Sequence, residues 1–173
     1  MSFAVWLTGL SGSGKSAVAR ELAAALHGRG IEVARLESDV LRTQLTPFPR
    51  YDEDERDFFY AALLALGAFA AGRGVAVIFD ATANRRAYRD AARRKIALFA
   101  EVFVDTPLEV CAARDPKGLY RAAREGKSTT LPGLQAAYER PLHPEVVLHG
   151  ERGTPAQSAE SVVAFLAARQ WIR

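Results

Sequence analysis

Apolar residues along this chain follow two rhythms. Three short stretches are almost continuously apolar: Phe3-Ala4-Val5-Trp6-Leu7, Val75-Ala76-Val77-Ile78-Phe79 and the run within Ala97 to Val104. That pattern belongs to strands buried on both faces. Ile31 to Leu36 alternates apolar with polar positions, and Glu145 to Leu148 supplies a fifth short run. Between them apolar residues recur three and four apart, which predicts helices over Ala17–His27, about Asp54–Ala71, Asn84–Lys95, Pro107–Arg114 and Ala156–Arg169, with a short one from Asp39. Gly28-Arg29-Gly30 ends the first helix, and Pro107 stands at the favoured first helical position. Alternating strands and helices predict an α/β fold: a five-stranded, mainly parallel sheet with helices on both faces and ligands beyond the carboxyl ends of the strands.

Two stretches break the rhythm. Thr46-Pro47-Phe48-Pro49 reads as a loop. Asp115 to Arg140 scatters Pro116, Gly118, Gly126, Pro132 and Gly133 among Lys117, Arg121, Arg124 and Lys127, the composition of a mobile basic lid. A length of 173 residues suits one domain, residues 1–173. With 49% apolar and 25% charged residues, the chain falls outside the disordered and fibrous classes. The apolar stretch Phe58 to Ala71 is too short to span a bilayer and is flanked by Arg56 and Arg73, so it predicts a buried helix and no membrane partner. The first strand is too short for a signal core, and the single cysteine, Cys111, excludes an internal disulfide, so a cytoplasmic location is expected. Lying between Leu108 and Ala112 at helical spacing, Cys111 reads as a small buried side chain. The net charge of +3 suits either a polyanion partner or a site that holds several phosphates.

Between the first strand and first helix stands Gly9-Leu10-Ser11-Gly12-Ser13-Gly14-Lys15-Ser16, followed by Ala17. It fits the phosphate-loop pattern G-x-x-x-x-G-K-[ST], in which glycines let successive N–H groups face one anion at a helix N-terminus. ATP is the expected ligand. Lys15 would reach its β- and γ-phosphates, and the Ser16 hydroxyl would bind Mg2+. The second strand leads into Glu37-Ser38-Asp39-Val40-Leu41-Arg42. There Asp39 could accept the proton of an attacking hydroxyl or order magnesium through water, and Arg42 could fork onto an acceptor phosphate. Asp39 as a helix cap with an exposed Arg42 is the alternative.

These features, with the block Glu101 to Cys111 and its continuation Arg114-Asp115-Pro116-Lys117-Gly118-Leu119-Tyr120, resemble the adenylyl-sulfate kinases, which phosphorylate the ribose 3′-hydroxyl of adenylyl sulfate with ATP. The resemblance covers nearly the whole chain. It implies that Glu37 and Asp39 match an acid–Gly–acid motif, and that Arg42 and Arg56 are substrate arginines. It also implies that Tyr51 stands near the substrate-stacking aromatic and that Lys117 is a lid lysine near the phosphates. Arg114 joins the ATP-binding set, and a homodimer is implied. The chain departs from that pattern on the acceptor side. Phe59 replaces an asparagine, Ala61 and Ala62 replace arginines, Ala81-Thr82-Ala83-Asn84 replaces Phe-Ile-Ser-Pro, and Gln135-Ala136 replaces an acidic pair.

Asp80, directly after the strand Val75 to Phe79, could be a Walker-B-type acid, a base or a helix cap. The run Asp80 to Arg86 is similar to one in more general phosphate-loop kinases, including polynucleotide kinases. Arg85, Arg89 and Arg93 recur every four residues and read as a solvated face or a polyanion contact. Phe48, Tyr51, Phe58, Phe59 and Tyr60 cluster near the acceptor side; core packing is expected for most, with one or two left to stack on a base. His27, His143 and His149 have no metal-ligand spacing. The leading reading is an adenylyl-sulfate kinase. A kinase for another small alcohol or a polynucleotide end, and a nucleotide-binding module without turnover, stay open.

Overall fold

The computed structural model describes residues 2–173. Five strands, β1 (Ala4–Thr8), β2 (Val33–Glu37), β3 (Ala76–Asp80), β4 (Phe99–Val104) and β5 (Val146–Leu148), form one sheet in the order β2-β3-β1-β4-β5. Every pairing is parallel, with Trp6 opposite Phe79 on one side and Glu101 on the other. Among the described residues seven helices connect and cover it: α1 (Lys15–His27), α2 (Ser38–Leu45), α3 (Glu53–Gly72), α4 (Arg86–Lys95), α5 (Leu108–Arg114), α6 (Leu119–Arg124) and α7 (Pro155–Ala168).

The sheet's alternation builds two cores. Phe3, Val5 and Leu7 project with Ile78, Val102 and Val104 against Val18, Leu22 and Leu26 of α1 and Val162, Val163 and Leu166 of α7. Ala4 and Trp6 project to the opposite face with Val77, Phe79 and Phe99, against Phe59, Tyr60 and Leu63 of α3 and Ala92 of α4. Trp6 stacks on Phe79 with ring centroids 4.4 Å apart. Gly67 brings α3 this close, since a Cβ there would meet the Phe79 ring at 2.1 Å. Burial of large apolar side chains on both faces of β1, each contributing about 1.5–3 kcal/mol, fixes its position at the centre of the sheet.

Three expectations need correction. The stretch 58–71 does form a helix, but only one of its faces is buried; Phe58, Leu66 and Phe69 stand in solvent. Helix α4 begins at Arg86, because residues 81–84 make a turn in which Ala83 takes φ 45 and donates its N–H to the Tyr60 hydroxyl at 2.8 Å. The lid carries a helix of its own, α6, and a small apolar core of Cys111, Tyr120, Ala123 and Leu131 packed by Leu10 and Leu108. Cys111 is fully buried there.

Candidate phosphoryl-transfer site

The carboxyl ends of β1, β2 and β3 open onto a cleft of about 920 Å3. The loop from Gly9 to Gly14 lies at its base. Gly9, Gly12 and Gly14 all take positive φ, and a Cβ on Gly12 would sit 2.8 Å from the Cys111 carbonyl, so this backbone path needs glycine. Lys15 opens α1, buried at the loop's centre, and donates to the carbonyls of Gly9 at 2.9 Å and Leu10 at 2.7 Å. Burial lowers its pKa to about 8, opposed by the nearby charge of Asp80. Asp80, at the end of β3, is buried, and desolvation raises its pKa; the Ser16 hydroxyl and the Lys15 ammonium offset part of that rise.

Ser11, Gly12, Gly14, Lys15, Ser16, Ala17, Asp39, Arg42, Tyr51, Arg56, Asp80, Arg114 and Lys117 all line this one cleft. Segments far apart in sequence thus meet. Asp39, near the start of α2, forms an ion pair with Lys117 of the lid. Arg42 is nearly buried and pairs with Glu55 at 2.7 Å. Arg56 donates to the Thr130 carbonyl at 2.5 Å, tying α3 to the lid. Arg114 donates to the carbonyl of Gly150 at 2.8 Å, joining the end of α5 to the loop after β5.

Phe59 does not reach the cleft. Its side chain is fully buried in the core, and the Arg42 guanidinium lies 4.0 Å from its ring centroid, so it acts on the cleft through Arg42. Tyr51 reaches the cleft in a left-handed conformation with φ 58, its ring 5.0 Å from the same guanidinium. Of the aromatic cluster only Phe59 and Tyr60 are core residues, whereas Phe48, Tyr51 and Phe58 are exposed. Ala83, which stands at the serine of the Phe-Ile-Ser-Pro pattern, is buried and offers no polar side chain.

Of the arginine stripe only Arg89 is turned inward, while Arg85 and Arg93 stay partly exposed in ion pairs. Arg85 pairs with Glu53 and Asp57, and Arg93 grips Glu145 through two bonds of 2.5 and 2.8 Å. Arg89 is only 1% exposed; its Nε lies 3.1 Å from Glu101 and its Nη1 donates to Thr8 Oγ1 at 3.0 Å. Thr8 directly precedes the phosphate loop and donates to the Thr82 carbonyl at 2.6 Å. Arg89 Nη2 donates to the Glu139 carbonyl, so one guanidinium links β1, β4 and the chain leaving the lid.

Sequence reasoning missed Glu55, and it placed Tyr60 in the acceptor-side aromatic cluster without its contact to Ala83. Asp52 caps α3 by accepting from the Glu55 amide at 2.9 Å, a D-x-x-E spacing that marks a helix start. The Glu55 carboxylate turns from that role to hold Arg42 and the amides of Arg50 and Tyr51. The capping spacing was visible; the use of its glutamate was not. Tyr60 lines the cleft and fixes the turn at Ala83, which no local pattern signals.

The family model of adenylylsulphate kinase matches residues 1–149. This chain belongs to the adenylyl-sulfate kinase family. It is 38% identical over 158 residues to the adenylyl-sulfate kinase of Microcystis aeruginosa, covering 91% of this chain and 87% of that one. Against the adenylyl-sulfate kinase of Halothermothrix orenii it is 38% identical over 174 residues, covering 97% and 91%. The fold superposes on APS kinase CysC of Mycobacterium tuberculosis, solved in complex with AMPPNP and APS, with a TM-score of 0.90 at 36% identity over 96% of this chain and 98% of that one. The five-stranded α/β phosphate-loop fold therefore agrees with that family.

Proposed function

We propose that this protein transfers the γ-phosphoryl group of ATP to the 3′-hydroxyl of adenylyl sulfate. The observation that carries this reading is the convergence of the Lys15–Ser16 loop, Asp39, Arg42, Arg56 and Lys117 on one cleft of a chain from that family. Lys15, Arg114 and Lys117 supply positive charge around the transferring group, and Arg42 and Arg56 orient the anionic acceptor, with Tyr51 against its base. Asp39, on the half-open rim, orients or deprotonates the acceptor hydroxyl. Asp80, deep beside Ser16 and Lys15, belongs to the metal side.

The donors fit Mg2+, since Ser16, Asp80 and Asp39 offer hard oxygens to the cleft. Bound there with ATP, the ion would neutralise phosphate charge. The same reading takes residues 1–173 as one kinase domain with a lid at about 115–140, working as a cytoplasmic homodimer. No helix among the described residues is long and apolar enough to cross a membrane.

A second reading, a kinase for another alcohol, rests on the buried apolar Phe59 and Ala83 and on the acid at position 80. Purified protein with ATP, Mg2+ and adenylyl sulfate, beside a control without acceptor, separates the two by mass of the nucleotide product. Formation of 3′-phosphoadenylyl sulfate supports the first reading. ADP at the control level only refutes it and directs the assay to sugar alcohols and oligonucleotide 5′ ends. ATP binding without turnover on any acceptor would indicate a regulatory module.

A further inference from the structure

Thr8, the last residue of β1, directly precedes the phosphate loop and is fully buried. Its hydroxyl has three partners. It lies 2.6 Å from the Thr82 carbonyl, 3.0 Å from Arg89 Nη1 and 3.0 Å from the Tyr138 hydroxyl. A carbonyl can only accept, so the one proton of Thr8 goes to Thr82, and both lone pairs are left for Arg89 and Tyr138 to donate into. Tyr138 is therefore the donor in its bond to Thr8, and burial, which raises its pKa, keeps the phenol protonated for that role. The hydroxyl's full bonding capacity is thus spent on side chains and backbone of the protein itself.

The three partners come from three separate segments. Thr82 lies in the turn that follows Asp80 and lines the cleft. Arg89 belongs to α4, and Tyr138 to the stem 137–140 by which the chain leaves the lid. That stem is fastened along its length. Asn84 donates to the Ala137 carbonyl at 3.1 Å and accepts from the Glu139 amide at 2.7 Å. The Arg86 amide donates to the Glu139 carboxylate at 2.7 Å, and Arg140 pairs with Asp105 at 2.6 Å. The Tyr138 ring stacks on Phe103 with centroids 6.2 Å apart. Just upstream of the stem, Thr129 to Pro132 form part of the cleft wall. A stem held this firmly, and joined to β1 at the residue before Gly9, sets the direction from which that wall approaches a bound nucleotide.

We infer that Thr8 is a positioning residue for phosphoryl transfer: its hydroxyl fastens the lid's return stem to the root of the phosphate loop, so that nucleotide bound at the loop closes the lid in one orientation. The inference rests on the ATP-dependent transfer proposed above and on no particular acceptor. The loop's own path does not need the hydroxyl, since glycines at positive φ, the Lys15 bonds and the pairing of β1 with β3 and β4 set it. Loss of the hydroxyl should therefore spare ATP affinity and fall on the steps that need the lid, turnover and the exclusion of water. Thr8→Val keeps the side-chain shape while the Thr82 carbonyl, Arg89 Nη1 and the Tyr138 hydroxyl all lose this partner.

Three variants of the full chain test this: Thr8→Val, Thr8→Ser, which keeps the hydroxyl, and Val163→Ala in the core against α7, a control for lost stability. With ATP, Mg2+ and adenylyl sulfate, Thr8→Val should lose about tenfold in kcat while ATP KM moves less than about threefold, and it should form more ADP without acceptor for each product made. Thr8→Ser and Val163→Ala should both stay near the wild type. Trypsin cleavage at Lys117, Arg121, Arg124 and Lys127 of the lid, with and without AMPPNP, reads closure with no acceptor present. AMPPNP should protect the wild type and Thr8→Ser, and leave Thr8→Val cut at its nucleotide-free rate. Protection of Thr8→Val equal to the wild type overturns the inference. So does a wild-type lid that AMPPNP does not protect, or an equal loss of kcat in Val163→Ala. If the wild type fails to phosphorylate adenylyl sulfate, the acceptor reading fails and the trypsin comparison still decides this one. Should Thr8→Val fail to fold, Tyr138→Phe, which keeps the ring and removes one donor, should show the same loss of protection, and full protection there overturns the inference.

Discussion

Replacing Arg89 by methionine removes the cation from a buried cluster while keeping most of its packing volume. In the wild-type protein Glu101 lies 3.1 Å from Arg89 and 3.5 Å from Arg93, and Arg93 is itself held by Glu145. Removing one partner of a buried pair costs about 3–5 kcal/mol, because the charge left behind has lost its counter-ion. Arg93 still faces Glu101, so the lower end applies, about 3 kcal/mol at pH 7.5, or a fall in melting temperature of roughly 6–12 °C for a chain of this size.

The same deficit should depend on pH. Burial already raises the Glu101 pKa, opposed by Arg89 and Arg93, so losing Arg89 raises it further. A carboxyl with a raised pKa binds its proton more tightly in the folded than in the unfolded state, so stability falls as pH rises through that interval. The gap between variant and wild type should therefore narrow from pH 7.5 to pH 5.5. Urea denaturation of the wild type, Arg89→Met and Arg89→Met/Glu101→Gln at both pH values measures it. The double variant should recover part of the loss at pH 7.5 and show no narrowing. A deficit under about 1 kcal/mol at pH 7.5, or one equal at both pH values, would refute the assignment of a charge-stabilised node.

Three further outcomes are expected. Gly150→Ala would place a Cβ 2.1 Å from Thr106 Oγ1 and 2.3 Å from the Ser13 carbonyl, so it should destabilise by about 1–3 kcal/mol and weaken ATP binding, read by melting and by nucleotide titration. Phe59→Leu keeps an apolar core but removes the ring 4.0 Å from Arg42; acceptor KM should rise about 2- to 10-fold with ATP KM unchanged, and an equal rise in both would count against the role. Burial lowers the Lys15 pKa to about 8, and a triphosphate beside it should raise that value. Binding of ATP near pH 8 should then take up ~0.5 proton and almost none at pH 6.5, which calorimetry in buffers of different ionisation enthalpy reports.

Local pattern was a good guide wherever one segment decides its own structure. The continuous apolar run at Phe3 to Leu7 had to be a doubly covered strand, and the glycines from Gly9 to Gly14 had to be a turn at a helix N-terminus. Arg89 shows where that guide stops. On helical spacing it belongs with Arg85 and Arg93 on a polar stripe, yet α4 turns it inward because Glu101, Thr8 and the Glu139 carbonyl wait beneath it. Each of those partners lies 12 or more positions away, and no periodicity within α4 records them. Phe58 and Phe69 mark the opposite limit: an apolar stretch signals burial, and says nothing of whether the covering surface is this chain or another.

The two halves of the cleft differ for the same reason. Triphosphate is to be held largely by backbone N–H groups of one contiguous loop, so eight consecutive residues announce it. The acceptor side is assembled from Asp39 and Arg42, Tyr51 to Tyr60, Asp80 to Asn84 and Thr129 to Thr130, four segments joined by tertiary contacts. Arg42 illustrates the consequence. Its direction is set by Glu55 below and Phe59 beside it, neither of which need touch a substrate. On the proposed reading, a substitution such as asparagine to Phe59 would change acceptor recognition by re-aiming a guanidinium as well as by deleting an amide. Selectivity in this chain should accordingly be sought in the Glu55–Arg42–Phe59 contact and the turn at Ala83 that Tyr60 holds, ahead of the cleft's exposed residues.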